Sequence, residues 1–153
     1  MSGNPGRFFA IAVALLLMLT LAPAGAAAAS TEERMLDAID DVRRGHGLPA
    51  WRDSGDLSDS ARRYSQNMLA RGYFGHTSRI RASSQWAWKG ENLAMYYTWG
   101  GRVGSIVRGW MNSPPHRRVL LSTRFRSAGV GYAQGRMRGR RATTVTLHVG
   151  RSR

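Results

Sequence analysis

The chain has 153 residues, no cysteine and a formal net charge of +14 at pH 7. A chain of this length has room for one domain with one core, and without cysteine it has neither disulfides nor thiol chemistry. Lys89 is the one lysine, so the charge comes from arginine. These arginines are scattered rather than clustered, which favours a solvated surface over a nucleic-acid-binding patch.

Residues 1–29 are predicted to be a secretory signal peptide. Arg7 supplies a positive n-region, residues 8–21 are apolar, and Ala-x-Ala cleavage sites follow Pro23. The apolar run is shorter than the roughly 20 residues of a spanning helix, and an uncleaved anchor is the alternative. We therefore expect a secreted, extracytoplasmic protein whose mature chain, residues 30–153, is one domain without a membrane span.

Two amphipathic helices are predicted in the first half of this domain. The first begins after the capping residue Ser30 and ends at Gly45. The second begins near residues 56–58 and ends at Gly72, because apolar residues recur at helical spacing between these points. Residues 77–90 show no period and are predicted to be a loop.

The centre of the chain is predicted to hold one short apolar segment and two further helices. Residues 91–97 are interpreted as a strand or a turn, and residues 103–110 carry a third helical stripe. Ser113 is predicted to cap a short fourth helix. In that helix Pro114 or Pro115 takes the first position, where no N–H is needed.

The C-terminal third is predicted to be a β-hairpin. Residues 127–134 and 142–150 have strand-like composition and are joined by a Gly/Arg loop at residues 136–141. Apolar residues alternate with threonines and His148 in the second strand, which predicts that His148 faces away from the apolar side. Helices followed by antiparallel strands predict an α+β domain.

Five motifs follow one another in this domain, and as an ordered set they are specific. They are IDDVRRGHGLPAW (39–51), FGHTS (74–78), GENLA (90–94), WMNSPPHRR (110–118) and FRSAGVGYA (125–133). Together they resemble the CAP superfamily, also called the SCP or PR-1-like domain, and most closely its cysteine-free bacterial secreted branch. The resemblance covers about residues 31–150. It implies a three-layer α-β-α sandwich with a small antiparallel sheet between helices and a concave cleft at one side.

The resemblance also implies a site in that cleft. In the family two histidines and two acidic residues face the cleft, and the histidines can hold a divalent metal, often zinc. The matching residues here are His76, Glu91 and His116. The second acid usually follows the tryptophan of the WM motif, and residues 111–113 contain none. Relatives commonly carry a glycine before the second histidine, where this chain has Pro115.

Glu91 has several chemically distinct roles open to it. Two imidazoles and one carboxylate are the ligand count of an open catalytic zinc site, so Glu91 is a candidate third ligand or, in an enzyme, a general base. Alternatively, Glu91 accepts a proton from one imidazole and fixes its tautomer. A hydrogen-bonded His-Glu-His cluster without metal is the purely structural alternative. Asn92, Asn112 and Ser113 are the further candidates for ligand contacts in the cleft.

Three functions are compatible with these observations. The first is a binding module that presents its cleft to a small or apolar ligand, since the family's known ligands include sterols and other lipids. The second is a metal-dependent hydrolase acting on peptide or cell-wall material, although the missing acid argues against an enzyme. The third is a cationic protein that binds anionic envelope polymers or other polyanions through its arginines. The sequence leaves the natural ligand and the oligomeric state open.

Overall fold

A computed structural model describes residues 29–153, so the predicted signal peptide lies outside the described residues except for Ala29. The elements in chain order are α1 (Thr31–Gly45), β1 (Arg52–Asp53), α2 (Gly55–Arg71), β2 (Trp86–Tyr96), α3 (Val103–Met111), α4 (Pro114–Leu120), β3 (Ser127–Met137) and β4 (Arg140–Ser152). This order of elements confirms the predicted α+β class.

The strands form one sheet in the order β1-β3-β4-β2, with β4 at its centre. β4 pairs antiparallel with both β2 and β3 along nearly its whole length. The short strand β1, which was not predicted, pairs parallel with β3 through Arg52 and Asp53. The sheet is therefore antiparallel over its three long strands and mixed at one edge.

Helices cover both faces of this sheet. On one face α2 lies across β3 and β4, and Ser65 on α2 donates a 3.0 Å hydrogen bond to the Gly131 carbonyl. On the other face α1, α3 and α4 enclose the larger apolar core. Its buried members include Met35, Ile39, Ile106, Trp110, Leu120, Val130, Val145, Leu147 and Val149. The predicted three-layer α-β-α sandwich is thus confirmed.

Helix α2 approaches β3 so closely that two positions on the strand have no room for a side chain. A Cβ atom on Gly129 would lie 2.1 Å from the Ser58 backbone nitrogen, and one on Gly131 would lie 2.1 Å from the Arg62 nitrogen. Real Cβ atoms do not reach such distances, and the blocking atoms belong to a helix backbone. The two glycines of the GVG motif therefore allow α2 to pack directly against the backbone of β3.

The helix termini agree with the local sequence signals. Ser30 and Glu33 form a reciprocal capping box at the start of α1. Gly72 ends α2 with a left-handed φ of 66°, the conformation that glycine adopts without steric cost. Ser113 occupies the N-cap position of α4, but its side chain makes no capping bond to the helix. The predicted role of Ser113 is thus correct in position only.

Two strand boundaries differ from the prediction. β2 begins at Trp86 rather than at residue 91, because β4 supplies hydrogen-bond partners back to that residue. Residues 136–141 are not a loop, because β3 and β4 remain paired up to the turn. Arg136 pairs with Arg141, and Met137 pairs with Arg140. The turn is Arg138-Gly139 alone, with φ values of 51° and 79° that are typical of a two-residue hairpin turn.

Arg43 on α1 is a charged residue inside the fold, with 1% of its surface exposed. Its guanidinium donates to the carbonyl oxygens of Pro49, Leu120 and Ser122 at 3.0, 2.7 and 3.1 Å. It also stacks 4.1 Å from the centroid of the Trp51 ring. Arg43 therefore joins the end of α1 to the following loop and to the end of α4.

An Arg43→Lys variant is expected to lose about 2 to 4 kcal/mol of unfolding free energy. A single ammonium group cannot reproduce the planar fork of donors, so buried carbonyl groups are left unpaired. Urea unfolding measures the loss, and Arg44→Lys on the exposed side of the same helix should leave the midpoint unchanged. Equal midpoints for the two variants would contradict this role of Arg43.

Within residues 29–153 no helix combines the length and the apolar composition that a membrane crossing requires.

Candidate functional site

The predicted residues His76 and Glu91 are in direct contact. His76 follows the glycine-capped end of α2, whereas Glu91 lies in the middle of β2. The Nδ1 atom of His76 is 2.8 Å from Oε1 of Glu91, and the backbone N–H of Thr77 donates to the same oxygen at 3.2 Å. The carboxylate thus holds both the ring of His76 and the start of the 77–81 segment.

His148 is a further member of the site that the sequence did not identify. In the register of the sheet His148 on β4 stands opposite Glu91 on β2. The two side chains meet, with 3.1 Å between Nε2 of His148 and Oε2 of Glu91. Its alternation with apolar residues had placed His148 away from the apolar side. The pairing of β2 with β4 was the signal that could have identified it.

The environment of His148 differs from a solvated strand face. His148 is 1% exposed, and Thr144 and Thr146 on the same side of β4 are fully buried. The reason is that α2 covers this side, with Ser65 contacting Thr146 and Thr144 through hydrogen bonds. β4 is therefore buried on both faces, and its polar face carries a hydrogen-bonded layer under α2.

Glu91 is consequently a buried carboxylate whose oxygens are both occupied. Its side chain is 6% exposed, and it accepts from His76, Thr77 and His148. Because a carboxylate can only accept, the ring proton of His76 belongs on Nδ1 and that of His148 on Nε2. The site therefore contains two histidines in opposite tautomers that converge on one acid.

His116 lies in the first turn of α4 and is held by two different contacts. Its Nδ1 atom is 2.8 Å from Oγ of Ser113, which explains why Ser113 does not cap the helix. The side-chain amide of Asn92, the neighbour of Glu91 on β2, donates to the His116 carbonyl at 3.0 Å. Asn92 thus connects the strand that bears the acid to the helix that bears the second histidine.

The folded protein lowers the pKa of His116 below its ordinary value of 6.5, because burial desolvates the ring and charge on the nearby His76 opposes its protonation. The unfolded chain therefore binds this proton more readily than the folded one. As the pH falls below about 6.5, His116 contributes a progressive loss of stability, which is absent at higher pH.

A pH titration of the histidine rings by ¹H–¹⁵N NMR is expected to show a midpoint for His116 below 6.5. In a His76→Gln variant the midpoint should rise because the opposing charge is removed. It should not return to the ordinary value, because burial is the larger cause. A wild-type midpoint at or above 6.5 would show that the ring is not desolvated in the folded protein.

The three candidate metal ligands do not form one convergent set. Within the part of the chain that the structure describes, no group of three or more His, Cys, Asp or Glu side chains is arranged to hold a metal ion. Glu91 is engaged with two imidazoles, while His76 and His116 each use Nδ1 for an internal contact. In each of these two histidines Nε2 is the ring nitrogen that takes no part in these contacts.

The predicted cleft residues occupy three different environments. Asn92 is 1% exposed and holds the His116 backbone, and Ser113 holds the His116 ring. Asn112 is exposed and lines a surface depression of about 700 Å³ with Met111 and other residues of the α3–α4 region. Asn92 and Ser113 thus support the histidine, whereas Asn112 is accessible to a ligand.

A separate open groove of about 540 Å³ runs along His76 and Glu91. One wall is the segment after His76, and the other is the first part of β2, where Trp88 is 59% exposed. Phe74, two residues before His76, is also exposed. A ligand in this groove would meet a histidine ring, the edge of a buried acid and an exposed indole.

The motifs, the fold and the site agree with one protein family. The family model described as "CAP: Cysteine-rich secretory protein family" matches residues 36–148. The chain belongs to the CAP family. This member departs from the family's descriptive name, because its sequence contains no cysteine.

Curated relatives of this CAP protein come from Bacillus subtilis. It is 31% identical over 110 residues to the uncharacterized protein YkwD, covering 67% of this chain and 42% of YkwD. It is 30% identical over 111 residues to the uncharacterized membrane protein YlbC, covering 67% of this chain and 31% of YlbC. The CAP protein therefore spans less than half the length of these relatives.

Solved structures share the fold of this CAP domain at low sequence identity. An outer surface protein of Borrelia burgdorferi has a TM-score of 0.64 at 17% identity, over 78% of this chain and 91% of that protein. An extracellular protein of Bacillus anthracis containing an SCP domain has a TM-score of 0.61 at 24% identity, over 79% and 40% of the two chains. These likenesses establish the CAP architecture.

Proposed function

We propose that this CAP domain acts outside the cytoplasm as a cleft-type binding module and not as a hydrolase. The predicted signal peptide supports export. Among proteins of the same fold, one is named an outer surface protein and another an extracellular protein. The ligand site is the groove along His76 and Glu91, in which Trp88 offers a flat face to an apolar or sugar-like ligand.

The state of Glu91 is the observation that carries this proposal. A general base needs an accessible oxygen that can take a proton from water or substrate. Both oxygens of Glu91 instead accept hydrogen bonds from His76, Thr77 and His148, and the side chain is 6% exposed. Residues 111–113 supply no second acid. Glu91 therefore suits the positioning of histidines better than it suits proton transfer.

A divalent cation such as zinc would fit this module as a two-histidine site. The ligands would be Nε2 of His76 and Nε2 of His116, whose Nδ1 atoms are held by Glu91 and Ser113. Such partners orient ligating imidazoles in metal sites and raise their basicity. When bound, the cation would attract an anionic or carbonyl oxygen of the ligand. The two protein ligands fall short of a catalytic site.

Zinc titration by calorimetry and a hydrolase screen on the same samples test this proposal. We expect one weakly bound zinc that is lost in His76→Ala and in His116→Ala. Binding should be about 10- to 100-fold weaker in Glu91→Gln, because a neutral amide oxygen still accepts from His76 but raises the basicity of its ring less than the carboxylate does. His46→Ala is the matched control, because His46 lies on the surface at the end of α1.

Peptide and cell-wall substrates are expected to be hydrolysed no faster by the wild type than by Glu91→Gln. Hydrolysis that requires Glu91 would overturn the binding-module proposal in favour of an enzyme. Zinc binding that persists without His76 and His116 would place the cation elsewhere. Each result addresses one half of the proposal, so the metal and the catalytic questions are answered separately.

A further inference from the structure

A second cavity of about 200 Å³ lies between α2 and the 77–81 segment. It shares only Thr77 and Arg79 with the groove along His76. Its floor includes His148, and one wall includes the ring of Tyr64, whose hydroxyl donates to the Gly75 carbonyl at 2.6 Å. The cavity has room for several water molecules and therefore for a small ligand group.

Two buried polar atoms of residues that line this cavity have no hydrogen-bond partner. They are Oγ of Ser60, which is 3% exposed, and Nδ1 of His148, which is 1% exposed. Folded proteins rarely leave such atoms unpaired, and an unpaired buried polar atom costs stability. A polar ligand in the cavity would lie next to both residues, because both line it.

The charged residues that line the cavity indicate the charge of such a ligand. Arg63, Arg79 and Arg81 line it, and no aspartate or glutamate does. In the described residues none of these three arginines takes part in a salt bridge, and Arg63 only donates a long hydrogen bond to the Arg81 carbonyl. Guanidinium groups are well matched to carboxylate and phosphate oxygens, so the cavity suits an oxyanion.

The tautomer of His148 narrows the choice of oxyanion. Nε2 donates to Glu91, so in the neutral ring Nδ1 carries a lone pair and needs a donor. A fully deprotonated anion such as sulfate has no O–H to offer. Inorganic phosphate near neutral pH keeps at least one O–H, as HPO4²⁻ or H2PO4⁻, and a phosphate monoester keeps one in its monoanion. The same group could therefore pair with the arginines, accept from Ser60 and donate to His148.

We propose that this cavity is a binding site for a protonated phosphate group, either free phosphate or the phosphate of a monoester. The arginines supply the attraction, and the buried pair of Ser60 and His148 supplies the selection for an oxyanion that carries an O–H. Its selective contacts come from atoms other than the Nε2 atoms of His76 and His116, and the two sites are joined through Glu91, which contacts both His76 and His148.

Calorimetry with inorganic phosphate and with sulfate, at equal ionic strength and near neutral pH, tests the selection. We expect phosphate to bind at one site per chain and sulfate to bind at least about tenfold more weakly, because His148 Nδ1 then stays unpaired. Equal binding of the two anions would overturn the proposal, since arginines alone would account for it. No binding of phosphate would overturn it too, with water as the occupant.

Matched variants locate the site. Ser60→Ala and the double variant Arg79→Gln/Arg81→Gln should each weaken phosphate binding at least about tenfold. The double variant Arg108→Gln/Arg118→Gln removes the same two charges from exposed positions on α3 and α4 that do not line the cavity, and it should bind as the wild type does. Equal losses in this control and in the cavity variants would indicate a general charge effect and contradict the proposal.

Two further probes distinguish the sources of the phosphate. Glycerol 3-phosphate represents a free monoester, and vesicles containing phosphatidic acid represent a lipid headgroup. Binding of glycerol 3-phosphate that is lost in Ser60→Ala supports the enclosed site for a soluble ligand. Binding to vesicles alone, unaffected by Ser60→Ala, would overturn the proposal in favour of a charged outer surface.

Discussion

A Gly131→Ala variant is expected to lose at least about 3 kcal/mol of unfolding free energy, at the upper end of the range for overpacked cores. The added methyl group would lie 2.1 and 2.2 Å from the backbone of Arg62 and Ala61 on α2. A helix backbone cannot rotate aside as a flexible side chain does. The whole of α2 must therefore move away from the sheet, and its hydrogen bonds to β3 and β4 through Ser65 must lengthen.

Thermal and urea unfolding measure this loss, with a fall in melting temperature on the order of 10 °C. Gly109→Ala is the matched control, because Gly109 lies on the exposed side of α3 with no atom within 4 Å of an added Cβ. That change should stabilise the protein by about 0.5 to 1 kcal/mol through helix propensity. A Gly131→Ala variant as stable as the wild type would contradict the close packing of α2 against the sheet.

Removal of the Glu91 carboxylate is the second change with a large expected effect. Glu91→Ala should cost about 3 to 5 kcal/mol, because it leaves the Thr77 N–H and the buried Nε2–H of His148 without acceptors and opens a void. Glu91→Gln should cost less, about 1 to 2 kcal/mol, since its amide oxygen can still accept from His76 and Thr77. The remaining loss is the contact with His148.

Urea unfolding of both variants, with Asp41→Ala as control, tests this order. Asp41 is an exposed acid that pairs with Arg44 on the surface of α1, so its removal should leave the midpoint close to that of the wild type. Two Glu91 variants no less stable than the Asp41 variant would mean that Glu91 does not anchor the site. The alanine variant as stable as the glutamine variant would mean that the Thr77 and His76 contacts contribute nothing.

The parts of the fold that could be predicted from the sequence depend on local signals. The start of α1 at Ser30 and the end of α2 at Gly72 follow from a capping hydroxyl and from a glycine that adopts a left-handed conformation. Both features act within one helical turn. The hairpin of β3 and β4 was also predicted from local composition, although its turn is shorter than the Gly/Arg composition suggested.

The parts that could not be predicted depend on contacts between distant segments. β2 extends back to Trp86 because β4 pairs with it there, and no property of residues 86–90 alone indicates this. β1 forms because its two residues pair with Ser127 and Ala128 at the start of β3. The spacing of apolar residues predicts which face of a strand is apolar. It does not predict which strand has both of its faces covered by other elements.

The candidate site likewise has a part that local motifs predict and a part that depends on contacts between distant segments. The motif resemblance predicted one site from His76, Glu91 and His116. In the structure His76 contacts Glu91, and Asn92 beside Glu91 donates to the His116 carbonyl. It could not show that a third histidine would share the acid, because His148 meets Glu91 only through the register of β2 on β4. This third contact places Glu91 at the centre of a hydrogen-bonded cluster.

The ring protons of the histidines provide the most direct test of Glu91 as an anchor. Long-range ¹H–¹⁵N spectra of the wild type should show His76 protonated on Nδ1 and His148 protonated on Nε2, two opposite tautomers directed at one carboxylate. In Glu91→Gln the His148 signals should change and those of His46 should not. Tautomer mixtures at both rings in the wild type, unchanged in Glu91→Gln, would contradict the role assigned to Glu91.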